Sequence, residues 1–221
     1  MKNKINFKSY VVLTEQEDNR KVLTIKEAAD LVKAQGKEWE RHIGGFTKGK
    51  TDWIFYRGVK IPHSEYSNNF LVKTRRDRKP LDTNVEIHKI ADDYMLEKFG
   101  VRFRSQGVFT LRSESLASFY GNTFMFFPLG KVNYIWSETH MDLGAALLGK
   151  EAFLKDYPEK TAAMIKSIID DAKYHFNKDL QELKHPEFVR NEVVVDCESY
   201  VLVNPLHTYQ FLKHLFNDNE D

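Results

Sequence analysis

Cysteine is almost absent from this chain of 221 residues. Cys197 stands alone, so no disulfide can form within the chain and no thiolate zinc site can be built. Such scarcity fits a reducing compartment. Long apolar runs are missing too. A membrane-spanning helix needs about 18 apolar residues, whereas the longest runs here, such as Phe124 to Leu129, are strand-sized. Met1 to Tyr10 is polar and basic with no apolar stretch behind it, so a secretion signal is not expected there. Charge of one sign is lacking as well: 33 basic and 32 acidic side chains leave a net +1. Coating of nucleic acid by bulk charge is therefore not expected, although a local basic patch stays open. No glycine-rich phosphate loop is present, which disfavours kinases and dinucleotide-fold dehydrogenases. None of the eight histidines forms a metal-binding pair on a helix face. These absences predict a soluble, cytoplasmic protein with no metal and no membrane contact.

What is present suffices for one sizeable core, with 42% hydrophobic and 13% aromatic residues. Thr24 and Glu27 stand at capping-box spacing, Ile25, Ala28, Ala29 and Val32 follow at helical steps, and Gly44-Gly45 can stop the helix. Thr83 and Glu86 repeat the pattern before Ile87, Ile90 and Tyr94, with Gly100 at the end. The longest helix is expected from Pro158 through Ile165, Ile169, Ala172, Phe176 and Leu183, ending before Pro186. A short last helix starts at Pro205 and presents Leu206, Phe211 and Leu215. Strands are expected at Trp53 to Arg57, broken by Gly58, then at Gly107 to Leu111, Thr123 to Phe127 and Val132 to Trp136. Glu192 to Val195 and Ser199 to Val203 look like a terminal hairpin. Helices and strands mix without regular alternation, which predicts an α+β fold with antiparallel sheets. With no repeat and no linker, residues 1–221 read as one domain. Within it, about 1–50 is an N-terminal helical segment, 51–205 the core and 206–221 a C-terminal helix.

Three segments carry chemistry. Arg57-Gly58 closes a hydrophobic strand, where a guanidinium can fork onto phosphate oxygens and glycine lets a ligand approach the backbone. Its bland alternative is a strand-end arginine paired with a surface carboxylate. Gly107-Val108-Phe109-Thr110 ends a strand in a hydroxyl, and a short helix follows from Ser113 through Ala117 and Tyr120 to Gly121. Taken alone, that is an ordinary helix cap. Glu192 heads the β-branched run Val193-Val194-Val195, where a carboxylate can stabilise an oxocarbenium-like transition state, or merely be an exposed acid.

In this order the three segments resemble the ADP-ribosyltransferase family, in the branch whose catalytic triplet is arginine, serine or threonine, and glutamate. The resemblance spans roughly residues 53–203, carried by about 25 positions. A second similarity, to uncharacterised bacteriophage proteins, runs through "RDRKPLDT" and "FRSQGVF" and implies no function. The family resemblance implies a split antiparallel β-sandwich with an NAD cleft and flanking helices. It implies NAD as substrate, without metal, and transfer of ADP-ribose to a protein or nucleic-acid acceptor, in a phage or toxin setting and so in a host cytoplasm. Arg57, Thr110 and Glu192 would be catalytic. Arg57 would lie under the NAD phosphates or ribose, Gly58 would meet the nicotinamide amide, and Thr110 would steady Glu192. Glu192 would bind the ribose 2′-hydroxyl, and Phe109 or Tyr120 would stack on nicotinamide. Two positions depart from the pattern: Thr110-Leu111-Arg112-Ser113 replaces a serine-threonine-serine run, and Arg190 stands where protein-modifying members carry an acceptor-activating glutamate or glutamine. NAD glycohydrolysis in the same cleft and a non-catalytic binding module are the alternatives.

Arg75, Arg76, Arg78 and Lys79, with Asp77 among them, read as a solvated loop more often than as an anion site. Arg104, in a tight "FRSQG" turn, is a cleft and cofactor-binding candidate. Glu138 is a rival carboxylate, His140 and Asp142 lack a third metal ligand, and Cys197 is expected to pack in the hairpin.

Overall fold

The computed structural model describes residues 20–79 and 83–217; the polar N-terminal stretch Met1 to Tyr10 lies outside them. Among the described residues nine strands form two wholly antiparallel sheets, in an α+β arrangement. The first sheet has the order β1 (Arg20–Leu23), β3 (Asn69–Lys73), β9 (Ser199–Val203), β5 (Asn122–Leu129), β2 (Phe55–Val59). The second has the order β4 (Val108–Thr110), β8 (Val193–Asp196), β6 (Asn133–Ser137), β7 (Tyr174–Phe176).

The sheets pack through one aromatic-rich cluster in which Phe70, Phe124, Phe126, Tyr200 and Leu202 meet Val108, Tyr134, Trp136, Val193 and Val195. Helices α1 (Ile25–Gln35), α2 (Lys37–Ile43) and α9 (Thr208–Phe216) bury Ala28, Ala29, Val32, Trp39 and Phe211 in the same cluster. A second cluster lies beyond the second sheet, where α3 (Val85–Phe99) and α8 (Pro158–Asp171) cover Ile135 and Val194. Among the described residues no helix is long and apolar enough to cross a membrane.

The expected hairpin of Glu192 to Val195 with Ser199 to Val203 does not form. The two runs are β8 and β9, inner strands of different sheets, and the chain turns from one sheet to the other at Cys197-Glu198. The reason lies in their composition. Val193 and Val195 face the inter-sheet cluster while Val194 faces the helix cluster, so this apolar run needs cover on both sides. A lone hairpin would leave one side wet.

Other boundaries also shift. The Thr24–Glu27 capping box forms, but the helix breaks at Gly36 and resumes as α2, which Gly44 closes in the left-handed region at φ 82°. Helix α3 is capped by Asn84 rather than Thr83: its side chain accepts from the N–H groups of Glu86 and Ile87. The helix from Pro158 stops at Asp171, because Lys173, Asn177 and Asp179 all take positive φ and Tyr174–Phe176 leaves as edge strand β7. Phe176 and Leu183 match its period by coincidence, and among the described residues α3, not α8, is the longest helix. Strand β2 begins at Phe55 and runs through Gly58 instead of breaking there. Arg20–Leu23, in the segment read as helical, pairs with β3. Of the last helix's three apolar residues, Phe211 and Leu215 are buried and Leu206 is exposed.

Candidate active-site cleft

Strand β2 and strand β4 meet at one residue pair. Tyr56 and Leu111 exchange both backbone bonds, at 2.7 and 2.9 Å, and then the strands part. Continuing that register would set Gly58 opposite Phe109. Instead the Arg57 guanidinium fills the gap, its Nη1 donating to the Phe109 carbonyl at 3.0 Å. Arg57 is buried, with its guanidinium 5.8 Å from the Tyr200 ring centre. Strand alternation turns the N–H and C=O of Gly58 to the same edge as those of Tyr56, into the opening. A side chain at Gly58 is excluded: an added Cβ would lie 2.1 Å from the Ala117 carbonyl and 2.7 Å from Tyr120 Cβ.

The second wall is the expected strand–helix turn. Ser113 caps α5 (Glu114–Ala117), a 3-10 turn at Ser118–Tyr120 follows, and Gly121 ends it at φ 140°. Thr110 is buried, and its hydroxyl donates to the Val193 carbonyl at 2.9 Å. It therefore fixes the backbone beside Glu192 rather than touching the carboxylate.

Glu192 just precedes β8, and its N–H donates to the Met141 carbonyl at 3.0 Å. Its Oε1 accepts from the Tyr120 hydroxyl at 3.4 Å. Burial and then the charge of Asp142 push its carboxyl well above the ordinary range, against the opposing pull of Arg104 and Tyr120.

Arg104 sits on α4 (Phe103–Gln106), held where the buried carboxylate of Asp92 accepts from the N–H groups of Arg104 and Ser105 at 2.9 and 3.3 Å. It is only 6% exposed, and among the described residues its buried Nε has no hydrogen-bond partner. A buried donor so placed seeks an acceptor, since leaving it unsatisfied is costly. Nearby His88 is driven down to about 4 by burial first and then by the positive charge of Arg104, so its imidazole is neutral at neutral pH. Phe109 lies between two cations, 5.8 Å from the Arg104 guanidinium and 5.3 Å from that of Arg78.

Tyr56, Arg57, Gly58, Arg104, Phe109, Thr110, Leu111, Ala117, Tyr120, Asp142 and Glu192 line one cleft. All seven residues singled out as site residues are among them. Asp142, considered from the sequence only as a metal ligand beside His140, is the cleft carboxylate the sequence did not point to. It carries no telling spacing, and it arrives as the N-cap of α6 (Leu143–Leu147).

The remaining candidates lie outside this cleft, although His140 lines a neighbouring pocket together with Arg104, Phe109 and Glu192. Glu138 is exposed and bonded to His175 at 2.7 Å, away from the cleft. His140 bonds to Thr139. Cys197 packs at the turn between the sheets, its thiol pushed up to about 12 by burial. The basic run is not a solvated loop throughout: Arg76 pairs with Asp196, and Arg78 is buried and donates to the Gly107 carbonyl. No protein-family model matches the chain, and comparison with curated proteins and with solved structures gives no match.

Proposed function

We propose that the protein is an NAD-dependent ADP-ribosyltransferase that moves ADP-ribose from NAD to a macromolecular acceptor. The observation that carries this reading is the convergence of Arg57, Gly58, Arg104, Phe109, Thr110, Tyr120 and Glu192 on one cleft, from segments far apart in the chain. The parting of β2 and β4 gives support as well, being the kind of opening a split antiparallel sandwich needs.

As substrate, NAD brings a diphosphate and a positively charged nicotinamide whose bond to ribose is the one broken. Arg57 and Arg104 hold the diphosphate; Arg104 has a buried guanidinium with an unsatisfied donor for it. Gly58 offers its backbone N–H and C=O to the nicotinamide amide. Tyr120, whose hydroxyl reaches Glu192, stacks on the nicotinamide ring, while Phe109 stays engaged with its two arginines. Glu192 accepts from the ribose 2′-hydroxyl and stabilises positive charge growing on the ribose. Its raised proton affinity favours this role in the complex: a cationic ring beside it draws the carboxyl back toward ionisation, where its charge serves the transition state more than the ground state.

Nicotinamide release from NAD tests the reading. Wild-type protein releases it, and Glu192→Gln, which keeps the shape and removes the charge, is slowed by about 10²–10³-fold. Wild-type protein that leaves NAD intact, with host lysate and nucleic acid supplied as acceptors, would falsify it.

A further inference from the structure

A second pocket adjoins the cleft and is lined by Leu111, Leu116, Phe119, Tyr120, Met141, Asp142, Arg190 and Glu192. Leu111, Tyr120, Asp142 and Glu192 belong to both cavities and form the wall where the two chambers meet. Two carboxylates therefore face the place where a molecule in one chamber would meet a molecule in the other. They cannot do the same work. A carboxylate that stabilises a growing cation by its charge loses that power if it takes up a proton, so an incoming nucleophile needs a different proton acceptor.

Resting on the transferase reading, we propose that Asp142 is the general base for the incoming nucleophile, with Glu192 left ionised against the ribose. The geometry divides the two roles. Glu192 is fixed through its backbone and through the Tyr120 hydroxyl. Among the described residues Asp142 is held by one oxygen, Oδ1 accepting from the Gly144 N–H at 2.6 Å, which orients the side chain and leaves Oδ2 for a proton. The nucleophile's lone pair forms the bond to the anomeric carbon, and the bond from that carbon to nicotinamide breaks. Its electron pair stays on the nicotinamide nitrogen, which becomes neutral, and the nucleophile's proton passes to Asp142. The nucleophile is thus any acceptor bearing an O–H or N–H, water included.

Azide separates this role from charge stabilisation, because an anionic nucleophile brings no proton to remove. Asp142→Asn keeps an oxygen for the Gly144 N–H, so the helix cap survives. With water as nucleophile, this variant should release nicotinamide about 10²–10⁴-fold more slowly than wild type, with NAD affinity by calorimetry little changed. Sodium azide should restore its rate and yield ADP-ribosyl azide by mass spectrometry, and should not rescue Glu192→Gln. A variant as fast as wild type, one that binds NAD yet ignores azide, or azide rescue of Glu192→Gln instead, overturns the assignment while the transferase reading stands. Wild-type protein inert toward NAD overturns both.

Discussion

At the scale of single residues, the cleft holds groups whose charge states oppose their surroundings. Folding lifts the Glu192 carboxyl above its ordinary 4.5, so the folded chain holds that proton more tightly than the unfolded one. The stability linked to it is complete below about pH 4.5 and is lost as pH rises through the lifted value. Glu192→Gln cannot ionise, and it should melt above wild type at neutral pH, with the gap closing toward pH 4.5. Matching melting curves at both pH values would remove burial as the cause of the shift. Stability gained where activity is lost is a common sign of a site shaped for function. Arg104 expresses the same tension with the opposite charge, since nothing in its pocket among the described residues bonds its Nε.

Elements set where these residues stand, and Gly58 is the tightest junction. The turn from Ser113 to Gly121 rests its backbone on β2 where a methyl group would be 2.1 Å from a carbonyl oxygen. Gly58→Ala should cost about 1–3 kcal/mol of stability by overpacking, read as a lower denaturant midpoint. It should also slow nicotinamide release, because Tyr120 is displaced from Glu192. An unchanged midpoint would mean that the 113–121 turn yields freely. The ends of these elements were legible in sequence wherever a side chain caps its own backbone, as at Thr24–Glu27 and Ser113. They were misread where the periodicity of apolar residues ran on past a break in the backbone. Lys173 in the left-handed region ends α8 although Phe176 and Leu183 keep helical spacing.

For the whole molecule, the decisive feature is that the last two strands part into different sheets at Cys197. That cysteine is buried, touches Thr74 Oγ1 at 3.7 Å, and is held protonated by burial. Its alkylation should track global unfolding: negligible under native conditions, and rising with denaturant along the same transition as tryptophan fluorescence. Fast native labelling would show that the sheets separate locally at this corner. The sequence was enough for the mixed α+β class, the antiparallel habit and most strand segments, because side-chain type and short-range spacing govern each of them. The candidate site residues were named from the family resemblance, and Arg104 from its tight turn; packing alone brings all seven to one cleft. Sheet membership, the cover on both faces of Val193–Val195, the burial of Arg78 and the arrival of Asp142 beside Glu192 came from tertiary packing alone. Those depend on which distant surfaces exclude water from one another, and no local spacing of residues records that.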